Sequence, residues 1–342
     1  MEKFLKLIKN NYLSISYISF FTVILFLIGY VIISTSKFYY PSDDELVVVP
    51  KGSTMMDVIN ILNKNDCSYN ELFFSFSMRL TGNHRKIKTG RYNFNGINTL
   101  GSLMRVLTTE SSEKIKVTLI EGWTIDEIVN KISNKLGLDN SILVSLCNDH
   151  NFIHSLGIKS FSLEGFLFPD TYMFLKSYTE EDVIRVLVNN FLKKYKKAKK
   201  DLDRSKYSME EIVTLASIIQ GEYMIPNNDE LPLISSVYHN RLEKKMYLQA
   251  DPTIQYILPG KNRRLYNKHL QIDSPYNTYK FRGLPPGPIN NPSLDAIKAA
   301  INPAKTDYLY FVADGKGRHI FTKTNKDHNK AKKQLKMNRK KY

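Results

Sequence analysis

Residues 215–222 have the sequence Leu-Ala-Ser-Ile-Ile-Gln-Gly-Glu, an apolar run that ends in a carboxylic acid. At about 100° per residue, Leu215, Ile218 and Glu222 fall on one stripe of a helix, and this is the stripe that a helix normally buries. Burial disfavours the charged form of a carboxyl group and therefore raises its pKa. A glutamate near a helix end is more often a solvated surface residue. The surrounding sequence must decide whether Glu222 is the general acid that this placement suggests.

The N-terminal part of the chain predicts a membrane anchor. Residues 10–36 contain no charged side chain, and this run exceeds the roughly 20 apolar residues that a bilayer-spanning helix needs. Lys3, Lys6 and Lys9 precede the run, which places residues 1–9 in the cytoplasm by the positive-inside rule. A cleaved signal peptide is the alternative, although its apolar core would be only about 7–15 residues long. We therefore expect a single-pass membrane protein with the rest of the chain on the extracytoplasmic side.

The chain carries a formal net charge of +16, which ordinarily suggests nucleic acid or an anionic surface as a partner. The predicted export argues against nucleic acid, and the basic runs at 193–200 and 330–342 are typical of solvated helix faces or a tail. Cys67 and Cys147 form no CxxC motif, so we expect two ordinary thiols, with one disulfide as the minor alternative. The seven histidines are scattered, and we predict neither a metal ion nor a cofactor.

After the predicted anchor, similar units follow one another, each with a short β-rich run, a turn and an amphipathic helix. The first unit has a strand at 46–50 and a helix at about 55–63, and it resembles a LysM module, a small domain that binds N-acetylglucosamine polymers. Plain packing units that hold the rest of the chain off the membrane are the alternative. We predict an α+β protein with an N-terminal transmembrane helix, a LysM-like membrane-proximal βα domain at 37–115 and a mixed α/β catalytic domain at 116–342.

Two sequence blocks are the most distinctive part of the second domain. Residues 164–172, Glu-Gly-Phe-Leu-Phe-Pro-Asp-Thr-Tyr, alternate aromatic residues with glycine and proline, which predicts a rigid turn with apolar walls. Residues 276–287 have the pattern Tyr-Asn-Thr-Tyr-x-x-x-Gly-Leu-Pro-Pro-Gly. Further along, apolar runs at 308–312 and 319–321 flank the turn at 314–317 and predict a β-hairpin.

Together with residues 216–222, 248–253 and 303–329, these blocks resemble, in the same order, the YceG-like (MltG) endolytic murein transglycosylases. The resemblance implies an enzyme of the bacterial inner membrane that cuts peptidoglycan between N-acetylmuramic acid and N-acetylglucosamine. The product would be a 1,6-anhydromuramoyl end, formed without water. This chemistry needs a single acid/base, in contrast to ordinary glycosidases with two carboxylates, and Glu222 occupies the family's catalytic position.

The chain departs from the family pattern at one position and offers a rival acid. Gln220 stands where the family commonly has a second acid, so desolvation alone would raise the pKa of Glu222. Glu164 is the rival, although Gly165 and Pro169 beside it suggest a structural turn. Side chains suited to sugar recognition, each of which is also a routine turn or core residue, come from Gln249, Asp251, Tyr276, Asn277 and Tyr279.

The implied substrate is the peptidoglycan glycan strand, and the resemblance also suggests penicillin-binding synthases and the elongation machinery as partners. A non-catalytic wall-binding scaffold is an alternative from a different class, with Gln220 as the mark of lost chemistry. Such a scaffold need not keep Glu222. A water-using muramidase is the third interpretation, and it predicts a reducing muramic acid end instead of the anhydro form.

Overall fold

A computed structural model gives the fold and describes residues 19–24, 26–32, 35–41, 47–50, 52–109, 114–176, 178–202, 206–222, 228–260 and 264–339. The chain divides into two compact units. Unit 1 comprises residues 1–114 and 175–179, and unit 2 comprises residues 115–174 and 180–342. The domain bounds at 1–9, 10–36, 37–115 and 116–342 stay predictions.

The predicted membrane-spanning segment at 10–36 lies partly outside the described residues, and the predicted cytoplasmic tail at 1–9 lies wholly outside them. Residues 19–24 and 26–32 are helical, and most of their side chains are exposed. Within the described part of the chain, no helix is both long enough and apolar enough to cross a membrane.

Unit 1 combines two small antiparallel sheets with three capped helices. The strand and the helix predicted for its first repeat are present, at 47–49 and 55–64. Thr54, Asn70 and Thr99 each cap a helix by accepting a hydrogen bond from the backbone N–H three residues later. In chain order the elements are β1 (Phe38–Tyr39), β2 (Val47–Val49), α1 (Met55–Lys64), β3 (Ser68–Tyr69), α2 (Glu71–Leu80), a 3₁₀ turn (Asn83–Arg85), β4 (Gly90–Tyr92) and α3 (Leu100–Thr108). β1 pairs with β3, and β2 pairs with β4.

Unit 2 is mainly helical, with two short strand pairs, so the protein is α+β as predicted. Its elements are β5 (Lys114–Thr118), α4 (Ile125–Leu136), α5 (Asn140–Asn148), α6 (His150–Ser155), β6 (Thr171–Leu175), α7 (Glu180–Leu202), α8 (Met209–Glu222), α9 (Leu231–Glu243), α10 (Asp251–Ile257), α11 (Leu294–Ile301), β7 (Tyr310–Ala313), β8 (His319–Thr322) and α12 (Asn325–Arg339). Short 3₁₀ turns lie at Asn228–Glu230 and His269–Gln271. α11 packs against α7, α8 and α9, and β5 pairs with β6. The predicted hairpin is confirmed, because β7 and β8 pair antiparallel with Tyr310 opposite Thr322.

Helix α8 is buried on every side, and not only along the predicted stripe. Nine consecutive residues from Ile212 to Gln220 are buried. A helix that is apolar all round is typical of a protein core. The stripe therefore does not by itself distinguish Glu222. Its distinguishing feature is its position at the end of a core helix.

The two cysteines are free thiols, as predicted. Cys147 is fully buried, and Cys67 is partly buried. Burial raises the pKa of both thiols above the ordinary value, so neither is an activated nucleophile.

Candidate active site

A cleft of about 1500 Å³ opens in unit 2 where α8 ends. This volume exceeds the roughly 300–1,000 Å³ that is typical of small-molecule sites, which favours an extended ligand. The walls come from the start of α4 with its preceding loop, the segment around Glu164, the end of α8, the start of α10, and residues 289–290. Among the described lining residues, the charged side chains are all carboxylates, and they belong to Glu121, Asp126, Glu127, Glu164, Glu222 and Asp251.

Glu222 lies at the C-terminal end of α8 and lines this cleft. The Tyr238 hydroxyl donates a hydrogen bond of 2.7 Å to Glu222 Oε1. Burial raises the pKa of Glu222 to about 7. The Tyr238 hydrogen bond opposes this rise, the Asp251 carboxylate adds to it, and the Arg241 charge opposes it. A carboxyl group with this pKa can both donate and accept a proton at neutral pH.

Two side chains of α9 hold the surroundings of Glu222 in place. Tyr238 is 1% exposed, and its ring packs edge-on against β7. Arg241, almost one turn further along, donates from Nε to Leu309 O at 2.7 Å and from Nη1 to Leu248 O at 2.6 Å. The fixed guanidinium therefore joins α9 to the residue just before β7 and to the loop before α10.

The two residues before Glu222 fix the end of α8. Gln220 Oε1 accepts a hydrogen bond of 2.9 Å from the backbone N–H of Ser293, the N-cap residue of α11. At Gly221, a Cβ atom would lie 2.5 Å from Pro252 Cβ, so only glycine allows α10 to come this close. Gln220, the residue that departs from the family pattern, is therefore buried, and its side-chain amide joins α8 to the start of α11.

Glu164, the rival acid, lies in the same cleft, but neighbouring groups of the fold hydrogen-bond to both of its carboxyl oxygens. It is 7% exposed. The backbone N–H of Ile125, the first residue of α4, lies 3.2 Å from both of its carboxyl oxygens, and Asn291 Nδ2 donates to Oε1 at 2.9 Å. Burial raises the pKa of Glu164 to about 8, while the hydrogen bond from Ile125 lowers it. Because both oxygens are engaged, this geometry suits fixing the cleft wall better than transferring a proton.

Asn291 is a buried connector that the sequence did not single out. Its Oδ1 accepts from the Leu167 N–H at 2.8 Å, and its Nδ2 donates to Trp123 O at 2.9 Å as well as to Glu164. Its own backbone N–H also donates to Trp123 O. One side chain thus joins three walls of the cleft, and its partners lie 124 to 168 residues away in the chain. The Asn-Pro pair at 291–292 is a turn signal, but local pattern cannot reveal such distant partners.

Of the predicted sugar-binding residues, three lie at or beside the cleft. Asp251 lines it at the start of α10 and accepts a hydrogen bond of 2.5 Å from the Tyr279 hydroxyl. The Tyr276 ring packs against Tyr256, another lining residue, with 5.1 Å between ring centroids. The Asp251–Tyr279 pair lies near Glu222, and the Tyr256–Tyr276 pair lies near Glu164.

The other two predicted binding residues have local roles. Asn277 is fully buried, and its Nδ2 donates to two backbone carbonyls of the preceding loop, while its Oδ1 accepts from the Tyr279 N–H. Gln249 is exposed, has a φ of 48°, and donates its backbone N–H to Thr278 O. Neither belongs to the described lining of the cleft. Their part in sugar binding stays a prediction.

Comparison with known proteins decides the family. The model of the YceG-like family matches residues 47–334. The chain belongs to the YceG-like family. The family resemblance expected from the blocks at 164–172 and 276–287 is therefore confirmed.

Three similar proteins place this YceG-like chain among its relatives. An endolytic murein transglycosylase of Bacillus subtilis (strain 168) is 35% identical over 304 residues, which cover 83% of this chain and 82% of the relative. A protein of the same name from Streptococcus pneumoniae (serotype 2, strain D39) is 31% identical over 316 residues, which cover 83% of this chain and 57% of the relative. The crystal structure of a YceG-like protein from Listeria monocytogenes has a TM-score of 0.58 and 32% identity, and the match covers 84% of this chain and 98% of that one.

Proposed function

We propose that this chain is an endolytic murein transglycosylase that uses Glu222 as its single acid/base. The observation that carries the proposal is a carboxyl group at the end of a core helix, hydrogen-bonded by Tyr238 in a cleft of about 1500 Å³, where burial raises its pKa to about 7. The names of the Bacillus and Streptococcus relatives support the same reaction and substrate class.

In the proposed reaction, Glu222 first donates a proton and later accepts one, so it ends in its starting state. Glu222 donates its proton to the oxygen that links C1 of N-acetylmuramic acid to C4 of N-acetylglucosamine, and the C1–O bond breaks. The C6 hydroxyl oxygen of the muramic acid then bonds to C1, and its proton returns to the Glu222 carboxylate. The products are a 1,6-anhydromuramoyl end and an N-acetylglucosamine with a free 4-hydroxyl. Since the Tyr238 hydroxyl engages Oε1, we assign the proton transfer to Oε2.

The single-acid scheme fits the cleft better than a mechanism with two carboxylates. A water-using muramidase would need a second carboxylate to act as nucleophile or to activate water. Of the other lining carboxylates, Glu164 is engaged by the α4 N-terminus and Asn291. Asp251, which lies near Glu222, accepts a hydrogen bond from the Tyr279 hydroxyl. A non-catalytic scaffold is the remaining alternative, and it does not require an acid at position 222.

Digestion of purified peptidoglycan separates these three functions. We expect anhydromuropeptide ends, each lighter by one water than the reducing end that a muramidase produces. We also expect the glycan strands to shorten before small fragments appear, because cleavage occurs within the strand. Unchanged strand length would favour the scaffold, and reducing ends would favour the muramidase.

Tyr238→Phe should change the pH dependence of turnover. Wild-type activity should fall as pH rises through about 7, where Glu222 loses its proton. Loss of the hydroxyl that stabilises the anion raises the pKa of Glu222 further, so this limb of the pH–rate profile should move to higher pH. Turnover should fall about tenfold, because the carboxyl group is no longer held in one orientation.

A matched control for this variant is Tyr172→Phe. Tyr172 is also a buried tyrosine of unit 2, and its hydroxyl donates to Phe168 O at 2.6 Å. This control should leave the pH–rate profile in place. An identical profile for wild type and Tyr238→Phe would remove Tyr238 from the mechanism.

Gln220→Glu should shift the pH optimum upward by less than about one unit and change the maximal rate little. Residues 220 and 222 diverge on the helix, and a glutamate at 220 can still accept the Ser293 N–H through one oxygen. The added negative charge raises the pKa of Glu222 only modestly. A large increase in the rate of anhydro-product release would mean that Gln220 disables the natural chain, and it would support the scaffold interpretation.

We further propose that the uncharged run at 10–36 anchors the protein in the cytoplasmic membrane and that unit 1 is a LysM-like glycan-binding domain. Penicillin-binding synthases and the elongation machinery are the proposed partners. The composition of the run and the lysines before it support this topology. Protease added to spheroplasts should digest the large domain, and N-terminal sequencing should find the N-terminus intact. A start near residue 37 would identify the run as a cleaved signal peptide.

A further inference from the structure

Helix α2 of unit 1 exposes an apolar stripe to its surroundings. Leu72, Phe76 and Leu80 recur every four residues and are 81%, 56% and 45% exposed, and the adjacent Phe73 is 40% exposed. The opposite face of the same helix carries the fully buried Phe74. Single exposed apolar residues are ordinary, whereas a contiguous set indicates an interaction surface. We call these four residues the α2 stripe.

Strand pairing brings the start of α2 beside the end of the apolar N-terminal run. Phe38 in β1 lies opposite Tyr69 in β3, and α2 begins two residues after Tyr69. Only Lys37 separates β1 from the uncharged run at 10–36. Ser36 O also accepts a 2.9 Å hydrogen bond from the first backbone N–H of α3. The β1–β3 pair and the start of α3 therefore follow directly on the end of this run, with no linker between them.

The exposed side chains at this junction and along α2 are of the types found at a membrane interface, apart from the acidic Glu71 in the first turn of α2. Lys37, at the end of the run, and Arg79, next to Leu80 on α2, are both exposed. Tyr39, on β1, is 63% exposed. Segments that lie at the headgroup level combine leucine and phenylalanine with lysine, arginine and interfacial tyrosine. A lipid surface matches this combination of apolar and basic side chains.

We propose that the α2 stripe rests in the boundary between headgroups and acyl chains of the membrane that the N-terminal run spans. The inference builds on the proposed anchor and extends it. A strand that begins two residues after a membrane-spanning segment must lie within a few residues' length of the bilayer surface. The apolar stripe starts at that end of the unit and gives it a second point of attachment.

Spin labels in the full-length protein, reconstituted into lipid nanodiscs that contain anionic lipid, test the proposal. Cys67→Ala and Cys147→Ala remove the native thiols. Phe76→Cys then places a label on the stripe, and a water-soluble nickel complex and dissolved oxygen measure its accessibility. We expect nickel access at Phe76→Cys to be several-fold lower than at the control Thr109→Cys, which lies just past the C-terminal end of α3.

A third label, at Phe26→Cys, measures the nickel accessibility of the apolar run itself. Equal nickel access at positions 76 and 109, with position 26 shielded, would overturn the α2 inference and leave the anchor standing. Nickel access at position 26 equal to that at 109 would overturn the anchor and the α2 inference together. Both results are independent of the chemistry at Glu222, which the peptidoglycan digestion measures separately.

Discussion

Glu222→Gln is expected to lower turnover on peptidoglycan by a factor of about 100 or more, because an amide cannot donate the proton that the leaving oxygen needs. The change is nearly isosteric, and the Tyr238 hydroxyl can still donate to the amide oxygen at the position of Oε1. The fold and substrate affinity should therefore remain. The measurement is the rate of anhydromuropeptide release, together with circular dichroism and binding of glycan strands.

Glu121→Gln is the matched control for this loss. Glu121 also lines the cleft, and burial also raises the pKa of its carboxyl group. The proposed reaction gives it no proton to transfer, so turnover should stay within a few-fold of wild type. Near-normal turnover by a folded Glu222→Gln protein would exclude Glu222 as the acid, and an equal loss in both variants would indicate a general effect of cleft charge.

Gly165→Ala should have the largest effect on the stability of unit 2. Gly165 has a φ of +87°, and a Cβ atom there would lie 2.6 Å from Pro288 Cβ and 2.8 Å from Val213 Cγ1. A left-handed backbone costs an alanine about 1 kcal/mol, and forced repacking of a tight core adds about 1–3 kcal/mol. We expect the free energy of unfolding to fall by about 3 kcal/mol.

Denaturation followed by the fluorescence of Trp123, the sole tryptophan, measures this change within unit 2. Gly283→Ala separates the two causes. Gly283 has a φ of +86°, but no atom lies within 4 Å of its added Cβ. This control should lose only about 1 kcal/mol from backbone strain. Equal losses in the two variants would show that the close approach of Pro288 and Val213 contributes nothing.

The sequence predicted the features that depend on local pattern. The β7–β8 hairpin follows from two apolar runs around a glycine-containing turn, and the first helix of unit 1 follows from its capping threonine and apolar spacing. An acid at the end of an apolar run is unusual, and this pattern marks Glu222. One apolar stripe explains only part of the burial, since α8 is buried all round.

The sequence could not predict the long-range contacts that complete the site. Tyr238 contacts Glu222 although the two are 16 residues apart in the chain, and Arg241 contacts Leu309 although these two are 68 residues apart. Asn277, an amide predicted to recognise sugar, makes hydrogen bonds within its own loop, and its part in sugar binding stays a prediction. Amide and hydroxyl groups serve turns and ligands equally well. Only the folded arrangement shows which of these partners each group has.

The proposed reaction is tested most directly by digesting purified peptidoglycan strands with the wild-type protein in water enriched in heavy oxygen. Mass spectrometry then identifies the new ends. Ring closure by the C6 hydroxyl takes no oxygen from water. We therefore expect 1,6-anhydromuramoyl ends without heavy oxygen. Reducing muramic acid ends that carry heavy oxygen would contradict the proposed reaction.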